Sequence, residues 1–206
     1  MSTSAQGYRV PVASVRVEHE VSRSRFIASL ANAPTVQSAR ETIAAIRAEM
    51  PDASHHVYVF KVGYGASVIE GLSDDGEPTG TAGPPVMAVL RGAEIGDTVI
   101  VVTRYFGGIK LGTGGLVRAY SDAARAALAA MTTQEKIERC QLGLTLPYPL
   151  YERARMLALE HGARIDDETF AGDVTIYLTL PVSSIELFSA AIRDLSAGQI
   201  APIELS

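Results

Sequence analysis

Val15, Val17 and Val21 are apolar with polar residues between them, and the run Arg25-Phe26-Ile27-Ala28-Ser29-Leu30 follows Ser22-Arg23-Ser24. Two-residue alternation around a turn-forming trio predicts a β-hairpin. The period then becomes helical: Ala39, Ile43, Ile46 and Met50 follow the N-cap candidate Thr35, and Pro51 stops the run. His56-Val57-Tyr58-Val59-Phe60-Lys61-Val62 is β-branched and aromatic and predicts a strand, paired with Ser67 to Leu72 across Gly63-Tyr64-Gly65. After a polar, turn-rich tract, Pro85 to Leu90 reads as a short apolar helix ending near Gly92. Asp97 to Thr103 is nearly all apolar, the pattern of a strand covered on both faces. The Gly-rich loop Gly107 to Gly115 then leads into a long helix through Ala119, Ala123, Ala127 and Ala130.

Thr132-Thr133-Gln134 marks the expected boundary between two domains, 1–133 and 134–206. Beyond it the pattern reads strand (Glu138 to Leu146), helix (Leu150 to His161), strand (Ala163 to Phe170), strand (Val174 to Pro181), helix (Ser184 to Leu195) and strand (Ile200 to Leu205). That order is βαββαβ, the ferredoxin-like split unit, so the fold class is α+β.

Charge changes this picture more than composition does. The chain has 206 residues and a formal charge of −5, but residues 1–133 carry 12 basic and 12 acidic side chains, whereas 134–206 carry 6 and 11. The whole excess therefore lies in the second segment, and any grip on phosphates must come from a local patch in the first. A single cysteine, Cys140, excludes an internal disulfide and a zinc site built on paired thiolates. No apolar stretch reaches the roughly 20 residues that span a bilayer, and the amino terminus lacks a signal-peptide layout. The expectation is a cytoplasmic protein with no membrane partner.

Two tracts carry the candidate chemistry. The first runs from Thr103 to Arg118, with five glycines in the nine positions from 107 to 115. Glycine lets backbone approach an anion closely, and the amides that open a helix lack intrahelical partners. Such a segment cradles phosphate or carboxylate, with Gly107, Gly108, Gly112, Gly114 and Gly115 giving access and Arg104, Lys110 and Arg118 giving charge. Tyr105 and Phe106 offer a stacking surface for a base. The same composition also suits a tight structural turn, and neither the dinucleotide spacing nor the Walker spacing is present. The second tract, Ser73-Asp74-Asp75-Gly76-Glu77-Pro78, presents three carboxylates in four residues, which reads as a capped turn or as a weak Mg²⁺ site. His55 and His56 point to opposite faces of their strand, so only one can serve a site there, and His56 joins Asp74, Asp75 and Glu77 as a candidate rim. No metal-ligand cluster and no nucleophile elbow is evident.

The tract Asp74 to Pro85, followed by Val101 to Tyr120, resembles the paired signatures of the IMPACT/YigZ family, and Ser24 to Ala28 and His55 to Tyr58 also fit. Lys110 and Phe106 depart from the apolar and Tyr-like residues the family pattern suggests. The resemblance covers residues 15 to 130, and bacterial members append the βαββαβ unit. It implies an amino-terminal domain like domain two of ribosomal protein S-five, with a mixed sheet backed by two helices, and a ferredoxin-like second domain. Together they resemble domains IV and V of elongation factor G. It further implies a link to translation through RNA, the ribosome or a translation-associated protein, and no reading of DNA sequence. The resulting expectation is a noncatalytic binding protein without a cofactor. The alternatives are an enzyme or binder of a small phosphorylated molecule with Mg²⁺, and a protein-binding adaptor independent of RNA.

Overall fold

The structure, a computed structural model, describes residues 7–64 and 68–205. Its elements in chain order are β1 (Tyr8–Pro11), β2 (Val15–Val21), β3 (Ser24–Asn32), α1 (Val36–Glu49), β4 (His55–Val62), β5 (Ile69–Ser73), α2 (Gly83–Gly92), β6 (Thr98–Tyr105), α3 (Gly112–Ala130) and β7 (Thr133–Lys136), followed by β8 (Arg139–Leu146), α4 (Tyr148–Glu160), β9 (Arg164–Phe170), β10 (Val174–Pro181), α5 (Ile185–Leu195) and β11 (Ile203–Glu204). They form two compact units, one spanning Tyr8–Lys136 and one from Ile137 onward.

In the first unit five strands lie in the order β2-β3-β6-β4-β5. The apolar strand β6 is central, and both its faces are covered, as its sequence predicts. On one face Phe26, Ala28, Leu30, Val57, Ile100 and Val102 pack against α2 and α3 through Val86, Met87, Leu90, Leu116, Tyr120 and Ala123. On the other, Ile27, Phe60, Val99 and Val101 pack against Ala39, Ile43 and Ile46 of α1. Each large aliphatic side chain buried in these layers contributes about 1.5–3 kcal/mol. Helix α1 begins where its cap predicts: the Thr35 hydroxyl accepts from the Ser38 amide at 3.0 Å, and the Thr35 amide donates to the Ser38 hydroxyl at 3.1 Å.

The structure corrects the sequence reading in several places. All four neighbouring strand pairs of this sheet are antiparallel, where a mixed sheet is expected, and three helices cover it instead of two. The Gly-rich segment is only half a loop: α3 starts at Gly112, so Gly112, Gly114 and Gly115 form its first turn. The strands β1 and β7 carry no alternation long enough to read, yet they pair antiparallel, Tyr8 opposite Lys136. This pairing holds Thr133–Lys136 in the first unit, although the boundary is expected before Gln134. The partner of β4 is Ile69–Ser73; Gly65 and Ser67 of the expected hairpin lie outside the described residues.

The second unit has strand order β11-β8-β10-β9, all antiparallel, which is the ferredoxin-like arrangement. Inward residues Leu142, Leu144, Leu146, Ile176, Leu178 and Leu180 pack beneath Ala154 and Ala158 of α4 and Phe188 and Ile192 of α5. No helix among the described residues is long and apolar enough to cross a membrane.

Asp97 ties together parts of the first unit that are distant in sequence. Only 1% exposed, it accepts from the Tyr8 hydroxyl at 2.9 Å, the Lys136 ammonium at 2.5 Å and the Gly63 amide at 2.8 Å. Burial by itself pushes its pKa up, but the bonds from Lys136, Gly63 and Tyr8 outweigh burial and hold the carboxyl below its ordinary range. Its stabilisation is therefore complete above about pH 4, the unfolded carboxyl range, and is lost as pH falls through the lower folded value. Asp97→Asn is expected to cost about 1.5–3 kcal/mol in urea denaturation at pH 7, and to flatten the dependence of stability on pH below 4.

Candidate functional site

A cleft of about 450 Å³ opens where β4, β6, the turn after β5 and the start of α3 meet, with His55, Glu77, Arg104, Phe106, Lys110 and Gly112 on its walls. Its floor is a buried polar network. Strand pairing sets Arg104 opposite Phe26 on one side and His55 on the other. The Arg104 guanidinium donates to Glu77 Oε1 at 2.6 Å and to the Ser24 hydroxyl at 3.3 Å. The Tyr120 hydroxyl, one turn beyond Leu116 on α3, donates to the same Glu77 oxygen at 2.7 Å. Burial first, and then Glu77, pushes the Tyr120 hydroxyl far above its usual range, so it stays a donor. His55 Nε2 lies 3.8 Å from Glu77 Oε1. Its Nδ1 is 2.8 Å from the Asp75 carbonyl, which can only accept, so Nδ1 carries the proton and Nε2 is the nitrogen left towards Glu77.

The three carboxylates of the acidic turn are brought close in sequence and kept apart in function. Asp74 caps α2: its Oδ1 accepts from the amides of Ala82 and Gly83 at 3.0 and 2.8 Å, and its Oδ2 from Gly80 at 2.8 Å. Asp75 accepts from the His56 amide at 2.7 Å and pairs with Arg47. Glu77 belongs to the cleft floor. The turn is thus a cap and two tethers, and no group of three His, Cys, Asp or Glu side chains among the described residues is placed to hold a metal ion. His56 is buried and turned to the Thr103 hydroxyl at 3.1 Å, and its desolvation lowers its basicity. The cleft histidine is His55, not His56; which of the two faces inward depends on strand register.

Arg104, expected as a phosphate contact, is 5% exposed and committed to Glu77. Tyr105 turns to the α1 side of the sheet, where its hydroxyl reaches Asp52 at 3.1 Å and Arg25 lies over its ring. Phe106 is 49% exposed, with Arg104 against its ring at 5.5 Å. Gly107 is needed for packing, since a Cβ there would lie 2.0 Å from the Arg23 carbonyl oxygen. Gly108 and Gly112 adopt φ of +85° and +70°. Gly114 differs: its φ is ordinary and a Cβ would meet nothing within 4 Å. Gly115 packs close to Leu111, while Lys110 and Arg118 are exposed. No side chain caps α3 and no acid stands in its first turn, so its opening amides remain available beside Lys110.

The Impact N-terminal domain matches residues 22–128, just over half the chain, and a domain of unknown function, DUF1949, matches 144–199. The chain is 37% identical to the IMPACT family member YigZ of Escherichia coli (strain K12), over 95% of this chain and 96% of that protein. It is 36% identical to an IMPACT family member of Haemophilus influenzae, over 94% of each. This chain belongs to the IMPACT family. A crystal structure titled as that of a hypothetical protein shares 37% identity and superposes with a TM-score of 0.70 over 98% of both chains. The family match spans both the cleft floor and the start of α3.

Glu77, Lys110 and the glycines are legible in the sequence, whereas Ser24 as a partner of Arg104, and His55 and Tyr120 as neighbours of Glu77, are not. Gly112, Leu116 and Tyr120 share one helix face at i, i+4 and i+8, which is the signal that brings Tyr120 to the cleft. Removing Arg104 strands a buried carboxylate, so Arg104→Ala is expected to lose about 3–5 kcal/mol of stability, read as a lower urea midpoint. Tyr120→Phe, which removes one donor, is expected to cost about 1–3 kcal/mol in the same measurement.

Proposed function

We propose that the protein is a noncatalytic, translation-linked binding protein that contacts RNA phosphates through the opening turn of α3. The observation that carries this reading is the uncapped first turn at the mouth of the cleft, flanked by exposed Lys110 and Arg118. Helix amides and the helix dipole favour an anion there, and the two cations add long-range attraction. Gly114 strengthens the assignment. It costs the helix stability relative to alanine and neither a positive φ nor a crowded neighbour requires it, so an approaching ligand is a physical reason for leaving the space open. Family membership supplies the translation link in the form the resemblance implies, and the neutral first unit carries no opposing charge excess.

A second reading, a small phosphorylated molecule as the ligand, is favoured by the cleft volume of about 450 Å³, which lies in the range of small-ligand pockets. It draws no support for Mg²⁺ from the acidic turn, because both oxygens of Asp74 and of Asp75 are engaged with backbone amides or Arg47 and Glu77 Oε1 is engaged with Arg104 and Tyr120. Thermal-shift measurements with nucleoside monophosphates and inorganic phosphate separate the two readings, since tight binding of a free metabolite raises the melting temperature without RNA.

Co-sedimentation with ribosomes and with total RNA across a salt series tests the first reading. Association is expected to weaken with salt, and Lys110→Ala with Arg118→Ala to reduce the log–log slope for single-stranded RNA by about 0.7 per lost phosphate contact. Binding that is absent, or flat across salt, overturns it. Gly114→Ala gives a second check: thermal unfolding is expected to show equal or higher stability, by up to about 1 kcal/mol, while RNA affinity falls.

A further inference from the structure

The cleft joins two opposite chemistries within one small volume. Its mouth, at Lys110, Gly112 and Thr113, suits an anion, whereas its floor presents an acceptor. Glu77 is 7% exposed, and both donors that reach it, Arg104 and Tyr120, use Oε1. Oε2 forms no hydrogen bond among the described residues. Among the described residues the fully enclosed side-chain atoms without a partner are His19 Nε2 and Arg104 Nε, so Glu77 Oε2 is not fully enclosed, and Glu77 lines the cleft. A nearly buried carboxylate oxygen with a free lone-pair direction is a strong site for a hydroxyl donor, because the bond is charge-assisted and shielded from water. Phe106 lines the same cleft with its ring half-exposed.

A ligand that satisfies all three walls carries a phosphate, a flat ring and a hydroxyl donor within the span of one small pocket. We infer that the cleft takes one unpaired ribonucleotide, with its phosphate on the first turn of α3 beside Lys110, its base against Phe106 and its 2′-hydroxyl donating to Glu77. Glu77 is then the residue that distinguishes RNA from DNA, since deoxyribose lacks the donor. The volume accommodates a single splayed nucleotide and not a paired stretch, so the preference is for single strands and ends. The inference rests on the phosphate-binding reading above and adds to it the identity of the sugar.

Fluorescence anisotropy of the full chain with three labelled oligomers of one length, oligouridylate, oligodeoxyuridylate and 2′-O-methyl-oligouridylate, tests it. All three carry the same base and charge, so only the 2′ position varies. The ribo-oligomer is expected to bind about tenfold or more tightly than the other two, the worth of a hydrogen bond to a charged group. Glu77→Gln turns an acceptor into an amide that can donate to a methoxy oxygen, so the gap between the ribo- and methoxy-oligomers is expected to close while the deoxy-oligomer stays weak. Phe106→Ala is expected to weaken all three by the same factor, about fivefold or more, because stacking ignores the sugar. Equal binding of the three oligomers by the unsubstituted protein overturns the 2′-hydroxyl contact and leaves the phosphate reading standing. No binding of any oligomer overturns both. An unchanged affinity in Phe106→Ala overturns the placement of the base. The oligomer series on the unsubstituted protein stays decisive even if Glu77→Gln does not fold.

Discussion

Arg104 places a permanent charge at the end of the central strand β6, where water is excluded, and the surrounding chain is arranged to answer that charge. Glu77 meets it at 2.6 Å from the turn after β5, Ser24 meets it from the start of β3, and Tyr120 completes the coordination of Glu77 from α3. A buried ion pair contributes little net stability over an apolar isostere, because desolvation offsets most of the attraction. Its effect is to fix position: four segments separated by as many as 96 residues, from Ser24 to Tyr120, converge on one ion pair. Phe26 and Phe106 lie against that guanidinium at 5.4 and 5.5 Å, so aromatic rings take the faces that hydrogen bonds leave free.

The acidic turn and the Gly-rich segment divide the work of building the cleft. Asp74 supplies the cap that the short helix α2 lacks at its own N-terminus, and Asp75 holds β4 and α1 together through His56 and Arg47. Glu77 is the carboxylate of the turn that reaches the cleft. Gly107 lets the chain leave β6 against the Arg23–Ser24 backbone, and the left-handed Gly112 turns it into α3. Helix α3 thus begins over the polar floor with its amides uncapped. An anion-attracting mouth set above an acceptor floor follows from these placements, and a nucleotide combines the two matching groups in one molecule.

The second unit closes a different problem with the same economy of pattern. Strict alternation in β8 and β10 puts leucine, isoleucine and valine under two helices and leaves threonine and tyrosine outward. Its surplus of acid, the whole of the chain's net charge, is repelled by phosphate. The proposed anion binding accordingly falls to the neutral first unit, where Lys110 and Arg118 stand exposed without an acid in the first turn of α3.

Periodicity and local chemistry carry a good part of this fold before any long-range contact forms. The hairpin β2–β3, the capped helix α1, the doubly covered strand β6 and the βαββαβ order of the second unit are each set by residues close in the chain, so they are legible there. The family signature is likewise carried by contiguous tracts. Register and long-range pairing are settled only in the folded chain. Arg104, expected from the sequence as a phosphate contact, became the anchor of the floor because strand register sets it opposite His55 and Phe26. His55 replaced His56 in the cleft because one residue of register exchanges the two faces of a strand. The weak strands β1 and β7 exist because Asp97 and mutual pairing hold them, not because their own residues demand it. Local sequence specifies elements through forces that act within a few residues; which charge is buried, and which is left free for a ligand, is fixed only when distant elements exclude water from one and not from the other.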